Sequence, residues 1–249
     1  MRLEEYEYMY QLEEQFWWYV GMRQITDAVV LRQLKDGSGR RILDAGCGTG
    51  FNLKHFSSIG VHDVFGLDLS EAAVDGVRRR GFHKVCQASI TDIPYVSESF
   101  DLVLSFDVLC QTALPSVNAA LREVHRVLRP GGFFFVRVPA FQWMRSSHDE
   151  AVESNRRFTC PEMATEIRKA GLEPEWSSYA NCFLFPAVIA RRVLKSVGIG
   201  KGSDVRPLPT GLGWIDSMFR GILGAEAAIF RNGGKLPFGL SVICLARKP

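Results

Sequence analysis

Long apolar runs are missing from this chain: the longest nearly apolar stretch, Cys182 to Ala190, is less than half of what a helix needs to span a bilayer. No membrane-crossing segment is expected. Paired cysteines are missing too. Six of them, Cys47, Cys86, Cys110, Cys160, Cys182 and Cys244, lie scattered, with no Cys-x-x-Cys pair and no histidine at metal-ligand spacing. No metal site is expected, and the thiols read as buried side chains of a reducing compartment. Neither sign of charge dominates: 30 Lys and Arg against 27 Asp and Glu leave a formal net charge of +3, too little for the electrostatic footprint of a bulk nucleic-acid binder. The acidic, aromatic N-terminus has no apolar core of the secretory kind, so a cytoplasmic location is expected. Internal repeats and low-complexity tracts are absent from the pattern. What is there is 249 residues, 47% hydrophobic and 23% charged, the balance of an ordinary globular chain large enough to bury about three-quarters of its unfolded surface.

From Arg41 onward, short apolar runs alternate with segments of helical period, which predicts βαβ units stacked into a mainly parallel sheet. The expected strands are Arg41 to Asp44, Val64 to Asp68, Val85 to Ala88, Phe100 to Phe106, Phe133 to Val138, Glu173 to Tyr179 and Leu240 to Ala246. Helices are expected over Phe51 to Ile59, over Glu71 to Arg80 with Ser70 as cap, and over Pro115 to Leu128, stopped by Pro130-Gly131-Gly132. Thr159-Cys160-Pro161-Glu162 is a capping box that opens a further helix ending at Ala170. Before the last strand, about Phe185 to Asn232 holds two candidate amphipathic helices joined by a Gly/Pro-containing loop. Residues 1–35 form a helical lead-in with Phe16-Trp17-Trp18-Tyr19 and a helix carrying Met22, Ile25, Val29 and Leu34. The expected organisation is one domain over 1–249, with this lead-in, a core over 36–180, and the insertion with the last strand over 181–249.

Asp44-Ala45-Gly46-Cys47-Gly48-Thr49-Gly50 lies between the first strand and the first helix, where an open α/β sheet presents its ligand crevice. Glycines at alternate positions let backbone amides approach a ligand that a Cβ would block. A dinucleotide turn requires a small residue where this chain has Phe51, which weakens a nicotinamide reading. Asp44 before the glycines suits a cationic ligand end and would repel a phosphate. Asp68, ending the second strand, can accept hydrogen bonds from both hydroxyls of a ribose. A ribose with a positively charged tail describes S-adenosylmethionine (SAM).

The run Leu43-Asp44-Ala45-Gly46-Cys47-Gly48-Thr49-Gly50 resembles that of class I SAM-dependent methyltransferases. Gly66-Leu67-Asp68-Leu69-Ser70, Ile93-Pro94 with Ser99-Phe100-Asp101-Leu102-Val103, and Glu123 to Gly132 resemble landmarks of the same family in the same order. The resemblance spans roughly Arg41 to Val138. It implies a Rossmann-like, doubly wound, mainly parallel seven-stranded sheet with an N-terminal helical lid and a helical insertion before the last strand. It also implies that Asp44, Gly46, Cys47 and Gly48 line the methionine moiety, Asp68 the ribose and Leu69 the adenine face, with Ser89 and Ile90 at the adenine edge. Many relatives are acidic at the Ser89 position; here a serine hydroxyl, a water or Asp92 could substitute. Phe106 and Asp107 would lie near the reacting sulfonium. Phe16 to Arg23 resembles a bacterial subset in which an N-terminal helix covers the cofactor, with Arg23 meeting its carboxylate. Packing of these aromatics on the sheet is the alternative.

Catalysis leaves a fainter trace, because a sulfonium already carries an activated methyl and in-line approach supplies much of the acceleration. A base matters when a hydroxyl must lose its proton. His148, in Ser146-Ser147-His148-Asp149-Glu150 after the fifth strand, is the first candidate base, with Asp149 beside it. An equally good reading makes the segment a structural clamp in which Asp149 pairs with Arg156 or Arg157. In the insertion, apolar residues from Phe183 to Leu194 beside Arg191, Arg192 and Lys195 could roof an apolar acceptor pocket, meet an anionic membrane surface, or pack on the sheet. No Asn/Asp-Pro-Pro-Tyr/Phe sequence occurs, which disfavours the amino-methylating nucleic-acid enzymes of this fold. The expected function is SAM-dependent methyl transfer to a small, partly apolar acceptor such as a specialised metabolite or a lipid-linked sugar, with oxygen as the default acceptor atom. The alternatives are a non-catalytic module that holds SAM or its demethylated product, S-adenosylhomocysteine (SAH), and an NAD(P)-dependent oxidoreductase.

Overall fold

Strands covered on both faces carry consecutive apolar residues at their centres, and β1 (Arg41–Ala45) and β4 (Phe100–Phe106) are of that kind: Ile42, Leu43, Leu102, Val103 and Leu104 are all buried. The computed structural model describes the backbone of residues 3–34, 39–146, 149–150, 152–196 and 213–249, with the side chains of these residues except 3–5 and 191–196. Together with β2 (Asp63–Asp68), β3 (Val85–Gln87), β5 (Leu128–Pro139), β6 (Glu173–Ala180) and β7 (Ser241–Arg247), these strands make a seven-stranded sheet in the order β3-β2-β1-β4-β5-β7-β6. Pairs from β3 through β5 are parallel, and β7 runs antiparallel to both β5 and β6. The fold is therefore the doubly wound, mainly parallel α/β sheet expected. The chain winds outward from β1 in both directions, which opens a crevice above the carboxyl ends of β1, β2 and β4.

One face of the sheet is covered by α2 (Trp17–Val30), α3 (Phe51–Ser58), α4 (Glu71–Arg79) and α8 (Gly213–Arg231), through Met22, Ile25, Leu53, Phe56, Val77 and Phe230. The other is covered by α5 (Val117–Val127) and α6 (Cys160–Lys169), through Leu121, Val124, Met163 and Ile167. Helix starts follow capping chemistry. Ser116 Oγ accepts the Ala119 N–H at 3.2 Å, and Thr159 with Glu162 forms the expected capping box. Ser70 does stand at the start of α4, but its side chain makes no cap bond; Asp68 Oδ1 accepts its N–H at 3.0 Å. β5 begins at Leu128 rather than Phe133. The Pro130-Gly131-Gly132 run lies inside the strand, where the pairing register slips between Phe100 and Leu102.

The lead-in contains two helices, α1 (Leu3–Leu12) and α2, and α2 ends at Val30, so that Leu34 is buried beyond it. In the insertion, α7 (Phe185–Ser196) presents only exposed or half-buried side chains over 185–190, whereas α8 buries Leu223, Ala227 and Phe230. α8 meets α2 closely: a Cβ at Gly21 would lie 2.2 Å from Leu223 Cδ1, so only a glycine fits the crossing. At its start, Asp216 Oδ1 accepts the Trp17 N–H at 3.1 Å and so caps α2. Further along, the fully buried Glu226 accepts the N–H groups of Asn181 (2.8 Å) and Phe183 (2.9 Å), holding the turn after β6. The insertion thus reaches both the sheet and the lead-in.

Candidate active site

The turn after β1 is shaped by what crowds it. Gly46 has φ +94°, and a Cβ there would lie 2.1 Å from Val108 Cγ2. The N–H groups of Gly46 and Cys47 both donate to Leu67 O, at 2.8 and 2.9 Å, which folds the turn back over β2. Thr49 packs against Gly76, and Gly50 against Val77, so the turn also rests on α4. Cys47 is 6% exposed, with its Sγ against the Gly66 backbone, so it offers its main chain to the crevice rather than its thiol.

Asp44 is completely buried. Asn52 Nδ2, in the first turn of α3, donates to Asp44 Oδ2 at 3.0 Å, while Oδ1 has no hydrogen-bond partner among the described residues. Burial, helped by Asp68 nearby and opposed by Asn52, pushes its carboxyl up to about 7. Arg23, reaching in from α2, lies over the ring of Phe51 at 4.7 Å, and its Nη1 is buried with no partner among the described residues. Burial lowers its pKa. The first turn of α3 therefore stands between an unsatisfied carboxylate oxygen and an unsatisfied guanidinium nitrogen.

Asp68, at the end of β2, accepts the Gly48 N–H through Oδ2 at 2.9 Å. Its Oδ1 accepts the Ser70 N–H at 3.0 Å and the Tyr6 hydroxyl at 3.4 Å. Desolvation raises its pKa. Leu69 follows with 56% of its surface exposed, a flat apolar shelf beside the carboxylate. Ser89 turns its hydroxyl inward to Thr91 Oγ1 (2.7 Å) and the Thr91 N–H (3.2 Å), Ile90 is buried, and Asp92 is exposed.

At the end of β4, Phe106 is followed by Asp107 at φ +57°, a left-handed conformation unusual for a residue with a side chain. Arg137 on β5 donates from Nε (3.0 Å) and Nη2 (2.5 Å) to Asp107 Oδ2, and its guanidinium lies over the rings of Trp18 (4.9 Å) and Phe106 (5.1 Å). Past β5, Asp149 is bound by Arg157 through Nε (2.9 Å) and Nη2 (3.0 Å), and Arg157 Nη1 also donates to Ala140 O at 2.9 Å. This is the clamp arrangement, and it ties the loop to β5. His148 lies outside the described residues. Beside this loop, Phe141 stacks on Tyr179 at 5.0 Å, and Phe185 lies 6.2 Å from Trp143 and 5.3 Å from Phe238. These rings cap the carboxyl ends of β5 and β6.

The structure thus brings Arg23, Asp44, Gly46, Gly48 and Asp68 around one turn, and Phe106 and Asp107 one strand further on. Sequence reading missed Asn52, Arg137, Tyr6 and Arg80 as neighbours of this site. Asn52 carries the one usable signal, since it lies in the first turn of the helix that follows the glycines; the others come from elements whose packing has no motif.

A family model described as a methyltransferase domain matches residues 43–136. The chain is 32% identical over 184 residues to a malonyl-[acyl-carrier protein] O-methyltransferase of Enterobacter lignolyticus, a match covering 71% of each chain. It is 30% identical over 129 residues to a fatty-acid O-methyltransferase of Mycolicibacterium smegmatis, covering 47% of this chain and 46% of that one. Among solved structures, a SAM-dependent methyltransferase of Thermotoga maritima superposes with a TM-score of 0.61 at 19% identity, covering 99% of this chain and 96% of that one. The chain belongs to the class I SAM-dependent methyltransferases. Several curated relatives are matched over less than two-thirds of their length, 62%, 39% and 36% in three of them.

Proposed function

We propose that this protein transfers the methyl group of SAM to a small, partly apolar acceptor, with oxygen as the expected acceptor atom. One observation carries the reading: Asp44 Oδ1 and Arg23 Nη1 are both buried and unpartnered among the described residues, on either side of the α3 start. Leaving such groups unsatisfied is costly, and an α-amino acid end, with its ammonium and its carboxylate, satisfies both. When bound, SAM supplies a methyl on a sulfonium. Asp44 and Arg23 would hold its amino-acid end, the Gly46 and Gly48 backbone would pass beneath it, Asp68 would hold the ribose and Leu69 the adenine face, with Ile90 and the Ser89 turn at its edge.

On the acceptor side, the Phe141, Trp143, Tyr179, Phe185 and Phe238 rings support an apolar partner, as does the name of the fatty-acid O-methyltransferase relative. A hydroxyl acceptor loses its proton as its oxygen takes the methyl, and two groups are proposed to receive it. Asp107 is pinned in place by Arg137. The other is His148, which directly precedes in sequence the Asp149 that Arg157 holds. Residues 1–35 would act as a lid on a single domain spanning 1–249. The exposed Trp143 and Phe183 support peripheral contact with a membrane, and no helix among the described residues is long and apolar enough to cross one. Co-sedimentation with anionic vesicles tests that contact, and no binding by the intact chain removes it.

Calorimetry of the intact chain with SAM and with SAH tests the central reading. Heat with both ligands, lost in Asp68→Ala and retained in His148→Ala, is the expected result. Silence with both ligands ends it, and binding without transfer to any acceptor would make the protein a holding module.

A further inference from the structure

The carboxylate that would hold the ribose is already engaged by the chain. Asp68 accepts three hydrogen bonds, from the Gly48 and Ser70 N–H groups and from the Tyr6 hydroxyl. A carboxylate offers about four lone-pair sites, and a ribose diol needs two of them. One of the three donors has to leave. The N–H groups belong to the glycine turn and the start of α4, both fixed against the sheet, whereas Tyr6 rides on α1 and its hydroxyl makes the longest of the three bonds at 3.4 Å. The same helix covers the second glycine of the turn: a Cβ at Gly48 would lie 2.7 Å from Met9 Cε. Side chains of α1 thus stand over both the ribose carboxylate and the surface along which the ligand would lie.

Arg80, just past α4, fastens α1 in that place. It donates to Thr49 O (2.9 Å), Tyr10 O (3.1 Å), Glu13 (2.7 Å) and Glu14 (2.5 Å), and lies 4.2 Å from the centre of the Tyr10 ring. The Thr49 hydroxyl donates to the buried Glu13 carboxylate, so the latch closes on the glycine turn itself.

We infer that α1 competes with the cofactor for the ribose end of the site: Tyr6 and Met9 hold Asp68 and Gly48 until the ligand displaces them, and Arg80 sets how firmly α1 is held. This rests on the cofactor reading proposed above. Measured affinity is then reduced by the fraction of molecules in which α1 is docked. Removing the Tyr6 hydroxyl should therefore strengthen binding, opposite to the effect of removing a residue that positions the ligand.

The test titrates SAH into the intact chain by calorimetry and follows association by stopped-flow tryptophan fluorescence, with circular dichroism confirming that each variant is folded. Tyr6→Phe is expected to bind about threefold to tenfold tighter, the range of one ordinary hydrogen bond, and to associate faster. Met9→Ala is expected to change affinity in the same direction. Tyr6→Phe binding equal to or weaker than the unaltered chain overturns the competition while leaving the cofactor reading intact. An unaltered chain that binds neither SAM nor SAH removes both.

Discussion

At Asp44 a single burial carries a measurable pH signature. Its carboxyl is raised to about 7, so below that pH the free site holds a proton that an ammonium group must expel. SAH affinity should rise with pH up to about 7 and level off above it, and binding at pH 6 should release a proton that binding at pH 8 does not. Calorimetry in buffers of different ionisation enthalpy reads this directly, and the effect should vanish in Asp44→Asn. The linkage to folding has the opposite sign. The folded chain keeps a proton that the unfolded chain loses near pH 4, so this group's contribution to stability declines as pH rises from about 4 to about 7. Asp44→Asn should accordingly raise the melting temperature at pH 8 while abolishing binding. Asp44 and Asp68 were legible in the sequence because each ends an apolar run and one precedes a run of glycines. Arg137 and Arg80 were not, because their partners are 30 or more residues away and are chosen by packing alone.

Elements show the same division. The central strands β1 and β4 could be read because parallel strands buried on both faces carry apolar runs such as Ile42-Leu43 and Leu102-Val103-Leu104, and α6 because its capping box is local. The early start of β5 was hidden by Pro130-Gly131-Gly132, which ordinarily signals a turn but here sits within the strand. The seat of α8 was hidden as well, because Gly21 in the middle of α2 reads as a weak helix residue until Leu223 is seen against it. Gly21→Val should cost about 1–3 kcal/mol by overpacking. Measured by urea unfolding, that cost should shrink when combined with Leu223→Ala, a non-additivity expected only of residues in contact. Glu226→Ala leaves two N–H groups of the β6 turn without their acceptor and should cost about 2–6 kcal/mol in the same measurement, at about 1–3 kcal/mol for each group left unsatisfied.

For the whole molecule, the sheet supplies a rigid floor, and the pieces around it decide what reaches the crevice. A ligand that binds only the folded chain stabilises it by mass action, about 2.7 kcal/mol at a hundred times Kd. In a chain of this size that is a rise of roughly 5–11 °C in melting temperature. SAH should produce such a rise in the unaltered chain and none in Asp44→Asn, as read by differential scanning fluorimetry.

Because one carboxylate of α8 caps the first turn of α2 and another secures the corner after β6, the segment between the last two strands is mechanically joined to the helix that carries Arg23. Exchanging that segment for a relative's, as one would to alter acceptor preference, should therefore disturb nucleoside affinity in the same chimera. Engineers of this scaffold should transplant α2 and α8 as a matched pair.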